Sequence, residues 1–511
     1  MSGTAPGADD PIPESEDGGS VGSRTASGVI WVTVQKWAIR IAGFVTIAIL
    51  TRLLSPADFG VVAAASTVLP FFYLLADLGF AAYIVQAKDV GQRMLSTGFW
   101  YSLVAGVVLC GIMVAIAPVL GFAFQADDVV PVIRALSVWV VITAVASVPT
   151  ALLRRRMSFA TIARQGVIAA VVGQATAIAM AFAGGGVWAL VGQSLASAVV
   201  GAVLAWIAAK WRPSLAFSRS EFTQMVTFGG KVLGVEFVAM LRAWAEAAII
   251  TNTLGIAALG YMNIAQRLVQ IAQDLAGGAL VPVTTVAFAK VRESSERLKN
   301  AYDRSLRATY ALLSLPLLFI AVTAPLLLPI LFGPGWGESY PVAQILALAA
   351  TLTVGASLDH GLFYGLGRPG LWFVYAIIVD TVTVATTAVV AHWGLSAIAL
   401  GFLGVALAAT LARWYLVPIM LKGSFRIQAR QFAMLLALVA ITGGTGWLVA
   451  GATEQLNPFV SVLIVGSSMT VVHLVGVRLF ARPIYAEVGQ FLGRSSFVAR
   501  LRRRPGTAAN P

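Results

Sequence analysis

Residues 96–120 read STGFWYSLVAGVVLCGIMVAIAPVL, a run without one charged side chain. About 20 apolar residues in a helix cross the hydrocarbon core of a bilayer, so this run is long enough to span one. Working outward from it, comparable runs recur along nearly the whole chain, at 28–50, 58–80, 131–153, 161–183, 186–208, 222–250, 256–286, 305–330, 342–365, 370–392, 394–420, 430–450 and 457–479. The reading is an all-α integral membrane protein of about fourteen transmembrane helices. The segments at 222–250 and 256–286 are the most polar, and twelve is the fallback count. Composition agrees: of 511 residues 59% are hydrophobic and 11% charged, with a mean hydropathy of +0.86, against about a quarter charged in soluble domains.

The loops test this placement, because basic residues concentrate on the cytoplasmic side. One alternate set carries Lys88, Arg93, Arg154, Arg155, Arg156, Arg164, Lys210, Arg212, Arg219, Lys290, Arg292, Arg297, Lys299, Arg304, Arg307, Arg368, Lys422, Arg426 and Arg430. The other carries Arg52 and Arg134 beside Asp127, Asp128, Glu338 and Glu454. Both termini are therefore expected in the cytoplasm of a bacterial cell, with the protein in its inner membrane. The net charge of +13 is accounted for by these loops and calls for no nucleic acid. Residues 1–27, rich in Gly, Ser, Pro, Asp and Glu, lack a signal-peptide pattern and read as a disordered cytoplasmic tail, which makes the first span an uncleaved anchor. Residues 480–511 read as a basic cytoplasmic tail. Cys110 is the one cysteine, so neither a disulfide nor a cysteine zinc site is available. The chain has no GxxxxGK[ST] phosphate loop, and no cofactor or metal is expected. The external loops are too short to house an enzyme's extramembrane site.

An internal repeat follows from an offset of 200 residues, which lays TRLLSPADFG (51–60) over TNTLGIAALG (251–260), matching at Thr, Leu, Ala and Gly. Each segment joins the two spans that open a block of six. The domains are then a six-helix bundle at 28–208, a linker at 209–221, a second six-helix bundle at 222–420 and two further helices at 421–479. The two bundles surround a central cavity.

Ionisable groups at membrane depth cost at least ~2.5–3.5 kcal/mol each on insertion scales, so they mark either function or paired structure. Lys36 and Arg40 lie one turn apart in the first span, and Lys231 and Arg242 three turns apart in the seventh. In the eighth, Asn263, Gln266, Arg267, Gln270, Gln273 and Asp274 form a polar stripe at helical spacing. Ser66, Pro70, Tyr73 and Asp77 share its phase in the second span, 200 residues earlier. These residues are read as the lining of an aqueous cavity, with the cations facing an anionic ligand. Asp77, Asp274, Asp359 and Asp380 are candidates for ion coupling. The bland reading of single groups stays open: Arg242 and Glu246, one turn apart, neutralise each other. Trp31, Trp37, Trp100, Trp188, Trp336 and Trp393 lie near span ends, as an aromatic belt requires, and Arg52 and Asp58 are read as interface anchors.

LTRLLSPADFG (50–60), ADLGF (76–80), LGYMNIAQR (259–267), LFGPGWG (331–337) and Gly367-Arg368-Pro369 together resemble the Wzx-type polysaccharide flippases of the multidrug/oligosaccharidyl-lipid/polysaccharide exporter superfamily. The resemblance covers about residues 28–425. It implies two six-helix bundles around a cationic cavity, alternating access, and a polyprenyl-diphosphate-linked oligosaccharide as substrate in cell-surface polysaccharide biosynthesis. A polysaccharide polymerase and glycosyltransferases would be its partners, with membrane lipid around it. Two rival readings remain, a multidrug antiporter of the same superfamily and a non-transporting scaffold for envelope assembly.

Overall fold

The computed structural model of the chain describes residues 21–480, apart from 88, 292 and 422–424. Within the helices the side chains at 21–34, 36, 228–239, 274–287, 289–290, 425, 427–428, 431 and 480 lie outside the described set. Lys36, Lys231 and Asp274 are thus outside it as side chains, and both terminal tails, residues 1–20 and 481–511, are outside it altogether.

The regular secondary structure of the described residues is all helical, with no strand among them. Its helices are α1 (Val21–Leu53), α2 (Pro56–Asp77), α3 (Phe80–Gln86), α4 (Gln92–Ala123), α5 (Val129–Arg155), α6 (Phe159–Phe182), α7 (Val187–Ala209) and α8 (Arg219–Leu254). There follow α9 (Ile256–Val291), α10 (Ser295–Phe332), α11 (Ser339–Thr353), α12 (Ala356–Gly365), α13 (Pro369–Val390), α14 (Leu395–Met420), α15 (Phe425–Ala452) and α16 (Pro458–Phe480). Among the described residues eleven helices are long and apolar enough to cross a membrane, counting α11 and α12 as one. The chain is a multi-pass membrane protein. The three long helices outside that set, α1, α8 and α9, are those to which the sequence assigns the cation pairs and the polar stripe.

Two departures from the sequence reading have local causes. The expected span at 342–365 is broken between α11 and α12, and the Leu352 carbonyl there accepts from the Tyr310 hydroxyl at 3.2 Å and from Thr410 Oγ1 at 3.1 Å. Such partners make a helix break tolerable in a membrane. Helix α3, absent from the sequence reading, follows a sharp stop of α2 at Leu78 and Gly79, both left-handed at φ 44° and 70°. Gly79 takes that conformation without a Cβ penalty.

The chain forms two compact units, the first containing residues up to Ile264 with Leu331–Glu338 and Asp380–Ile398, the second Ala265–Ile330, Ser339–Val379 and 399 onward. In the first, α4 packs on α5, α6 on α7, and α1 on α6. The segment at 209–221 is not a free linker. Trp100 Nε1 donates to the Ser214 carbonyl (2.8 Å), Trp211 Nε1 to Gln92 Oε1 (2.7 Å), and the Ser218 amide to Thr97 Oγ1 (2.9 Å). In the second unit α16 packs on α15, and buried His473 meets the Ala311 carbonyl of α10 at 2.9 Å.

The 200-residue repeat is visible in packing. Thr51 Oγ1 donates to Ile47 O at 2.9 Å, and Thr251 Oγ1 to Ala247 O at 2.9 Å. Along α2 and α9 the same positions are buried (Ala64 and Ile264, Ala65 and Ala265, Val68 and Leu268, Leu69 and Val269, Phe72 and Ala272) or exposed (Ser66 and Gln266, Pro70 and Gln270). The starts of the two helices cross reciprocally. A Cβ on Gly60 would lie 1.9 Å from the Ile256 carbonyl oxygen, and one on Gly260 1.9 Å from that of Pro56.

Candidate substrate cavity

The polar stripe on α9 follows from its sequence phase. Ile264, Ala265, Leu268, Val269 and Ala272 are buried, which turns Gln266, Arg267 and Gln270 outward, with Asn263 and Gln273 half-buried. Arg267 has neither a hydrogen-bond nor an ion-pair partner among the described residues. It is a charged, accessible group available to a ligand. On α1, Arg40 is half-buried and engaged with a neighbour.

Arg242 on α8 differs from the sequence expectation of a cation facing an anionic ligand. Its Nη1 lies 3.4 Å from Glu246 Oε1, and its Nε lies 3.3 Å from Asp380 Oδ1 on α13. Two carboxylates therefore surround one guanidinium, and the local charge is not positive. Sequence reading offered Glu246 as a partner but missed Asp380, because the two positions are 138 residues apart (380 − 242).

The other carboxylates proposed for ion coupling occupy different environments. Asp77 is buried, and its carboxylate accepts from the Ser147 hydroxyl and from the backbone N–H groups of Gly79 and Ala81. It caps the first turn of α3, whose N–H groups have no partner within the helix. Asp359 is buried on α12, paired with Arg413 Nη1 at 2.8 Å and accepting from the Tyr302 hydroxyl at 2.6 Å. Arg413 also donates to Thr410 Oγ1 at 2.9 Å. Sequence reasoning passed over Arg413, although a lone arginine deep in the apolar 394–420 run was the signal that could have found it.

Some of the basic loop residues have structural work beyond topology. Arg155 donates to the carbonyls of Ile84 and Ala87 at the end of α3, and Arg156 to that of Ala209 at the end of α7 (2.8 Å). These carbonyls are ones that a helix terminus leaves unpaired. Asp58 likewise is a capping residue: with Ser55 it forms a capping box at the start of α2.

The profile of the family described as polysaccharide biosynthesis protein matches residues 49–341, more than half of the chain. The chain belongs to that family. It is similar to the succinoglycan biosynthesis transport protein ExoT of Rhizobium meliloti (strain 1021), with 27% identity over 376 residues, 73% of this chain and 75% of the relative. The lipopolysaccharide biosynthesis protein WzxC of Escherichia coli (strain K12) shares 23% over 423 residues, 82% of this chain and 85% of that protein. Among solved structures, the lipid II flippase MurJ in an inward closed conformation superposes with a TM-score of 0.72 at 12% identity, over 89% of this chain and 100% of MurJ. An inward-facing multidrug resistance MATE family transporter of the MOP superfamily gives 0.61 at 17% identity, over 78% and 99%. These likenesses establish that this family member shares the fold of MurJ and of that MATE family transporter.

Proposed function

We propose that this membrane transporter is a flippase, not an enzyme, and that it moves a polyprenyl-diphosphate-linked oligosaccharide from the cytoplasmic to the outer leaflet for cell-surface polysaccharide biosynthesis. The observation that carries the reading is Arg267, an accessible guanidinium without a partner among the described residues, set in a stripe of amides on α9 within this fold. Arginine matches a diphosphate because its planar fork donates two parallel hydrogen bonds. Gln266, Gln270, Gln273 and Asn263 offer donors and acceptors to a glycan. Lys36, Arg40 and Lys231 complete the cationic lining in this reading.

Arg242 has a different task. A diphosphate oxygen reaching it competes with Glu246 and Asp380, so substrate entry and release of Asp380 are linked, and Asp380 is the carboxylate best placed for ion coupling. The two six-helix halves, fourteen crossings, cytoplasmic termini and inner-membrane location belong to the same proposal, as do partnerships with a polysaccharide polymerase and glycosyltransferases.

The test is to deplete the protein and follow lipid-linked saccharide by mass spectrometry with leaflet-selective labelling. Accumulation facing the cytoplasm, reversed by wild type but not by Arg267→Gln or Lys36→Gln/Arg40→Gln, supports the flippase. Altered drug sensitivity without accumulation moves the assignment to an antiporter, a reading that the carboxylates of Glu246 and Asp380 would serve by holding cations.

A further inference from the structure

The segment Leu331–Glu338 connects α10 to α11, yet it belongs to the first unit while the flanking parts of both helices belong to the second. Its indole, Trp336, is 1% exposed, which excludes the interfacial belt role that its position near a span end suggested. The Trp336 Nε1–H donates to the Thr51 carbonyl at 2.9 Å. Thr51 lies in the last turn of α1, where carbonyls have no intrahelical partner. The ring stands edge-on to Phe59 at 5.3 Å and to Tyr261 at 5.9 Å. Those two residues are the neighbours in sequence of Gly60 and Gly260, the pair at which α2 and α9 cross with no room for a methyl group. The indole therefore touches one residue of each copy of the repeat, each beside a glycine at which the two helices cross.

This joint has an unusual chemistry. Helices that meet through glycines touch backbone to backbone, without interlocking side chains. One indole hydrogen bond and two edge contacts close over the crossing. All of it sits at the helix ends opposite the basic segments, since α2 and α9 begin there and the chain carries Arg93 and Arg297 only after their far ends. A joint of this kind separates without dragging ridges out of grooves, and the groups it would expose are few. Alternating access needs one such joint on the outer face.

We propose that Gly60, Gly260 and Trp336 form the outer seal of the transport path, closed in this structure and opened once per cycle by parting the start of α2 from the start of α9. The proposal rests on the transporter reading above and assigns three positioning residues to it. In a Cys110→Ser background, Thr51→Cys reports on the seal and Met225→Cys reports on general integrity, because Met225 is fully buried at the opposite end of the helices. The probe is a maleimide added to the purified protein in detergent micelles, where both ends of the helices meet the reagent. Gly60→Ala/Gly260→Ala is expected to raise labelling of Thr51→Cys by about tenfold, the response to a bias of ~1.4 kcal/mol, while Met225→Cys stays protected. Trp336→Phe, which keeps an aromatic ring and loses the N–H, gives a smaller rise. Gly111→Ala, whose methyl group meets nothing within 4 Å, gives none. Unchanged labelling of Thr51→Cys in the double alanine variant overturns the seal, and so does a parallel rise at Met225→Cys, which signals loosening of the whole fold. Increased labelling with normal movement of lipid-linked saccharide keeps the seal and removes the flippase reading.

Discussion

Among the described residues, Arg413 and Arg242 each meet carboxylates within helices, and they do so in opposite ways. Arg413 and Asp359 are each 3% exposed and touch at 2.8 Å, with Tyr302 and Thr410 taking up further polar atoms. Arg242 is 39% exposed and stands 3.3–3.4 Å from two carboxylates that are 12% and 22% exposed. The first set is short, crowded and closed to solvent, the second looser and open. A charge paired with a buried carboxylate is holding α10, α12 and α14 together, even with Arg413 Nε left without an acceptor, whereas a charge that a ligand can reach can exchange partners. The position of an arginine in a membrane span does not distinguish these roles, but its complement of partners does.

The largest expected effect follows from breaking the closed set. Arg413→Ala leaves Asp359 buried without its counter-ion, and removal of one partner of a buried pair costs about 3–5 kcal/mol. The melting temperature in detergent and the level in membranes should both fall sharply. Arg413→Met combined with Asp359→Leu should recover most of the stability, since a well-packed apolar replacement removes both charges. Full stability of Arg413→Ala alone would dissolve the contrast between the two clusters.

Next comes the group with no partner among the described residues. Arg267→Gln should leave the melting temperature unchanged and lower lipid-linked saccharide movement by at least about tenfold, as expected when a charge-assisted bond of ~1.5–3 kcal/mol to the ligand is lost. Arg267→Lys should recover part of it, because lysine keeps the charge but not the planar fork. A smaller effect is expected from Asp380→Asn. A partly exposed ion pair contributes about 0–1 kcal/mol, so stability should barely change, while the dependence of transport on the proton or sodium gradient should weaken. Unchanged gradient dependence in that variant would take Asp380 out of coupling.

Much of this architecture was legible because hydropathy acts over 20 residues at a time. Each expected span but the broken one at 342–365 falls mainly on one helix, even the polar ones at 222–250 and 256–286, and the repeat seen in four matches of ten reappears as paired burial along α2 and α9. What escaped was pairing across the chain. Trp336 meets Thr51 over 285 residues and Arg413 meets Asp359 over 54, and neither distance leaves a periodic trace. Helix α3 escaped for a local reason: seven residues bury too little to show in a hydropathy window, and the start of this helix is secured by Asp77 rather than by its own N-cap, Gly79, which lacks a side chain. The stripe on α9 was readable because 3.6-residue spacing is itself the signal.

Asp77 gives the finest test of the comparison. Its bonds to Ser147, Gly79 and Ala81 resemble the buried set around Arg413 more than the open one around Arg242. Ser147→Ala removes one of those bonds and leaves the two backbone donors in place. The expected cost is about 1 kcal/mol, typical of one hydrogen bond, seen as a small drop in melting temperature with transport at the wild-type rate. If Asp77 instead takes up and releases an ion, loss of the Ser147 hydroxyl would change transport and its gradient dependence while stability stayed level. That outcome would place Asp77 with Asp380 among the working carboxylates. The α2–α3 corner would then be a site of exchange, and burial among protein partners would no longer suffice to identify a structural charge in this fold.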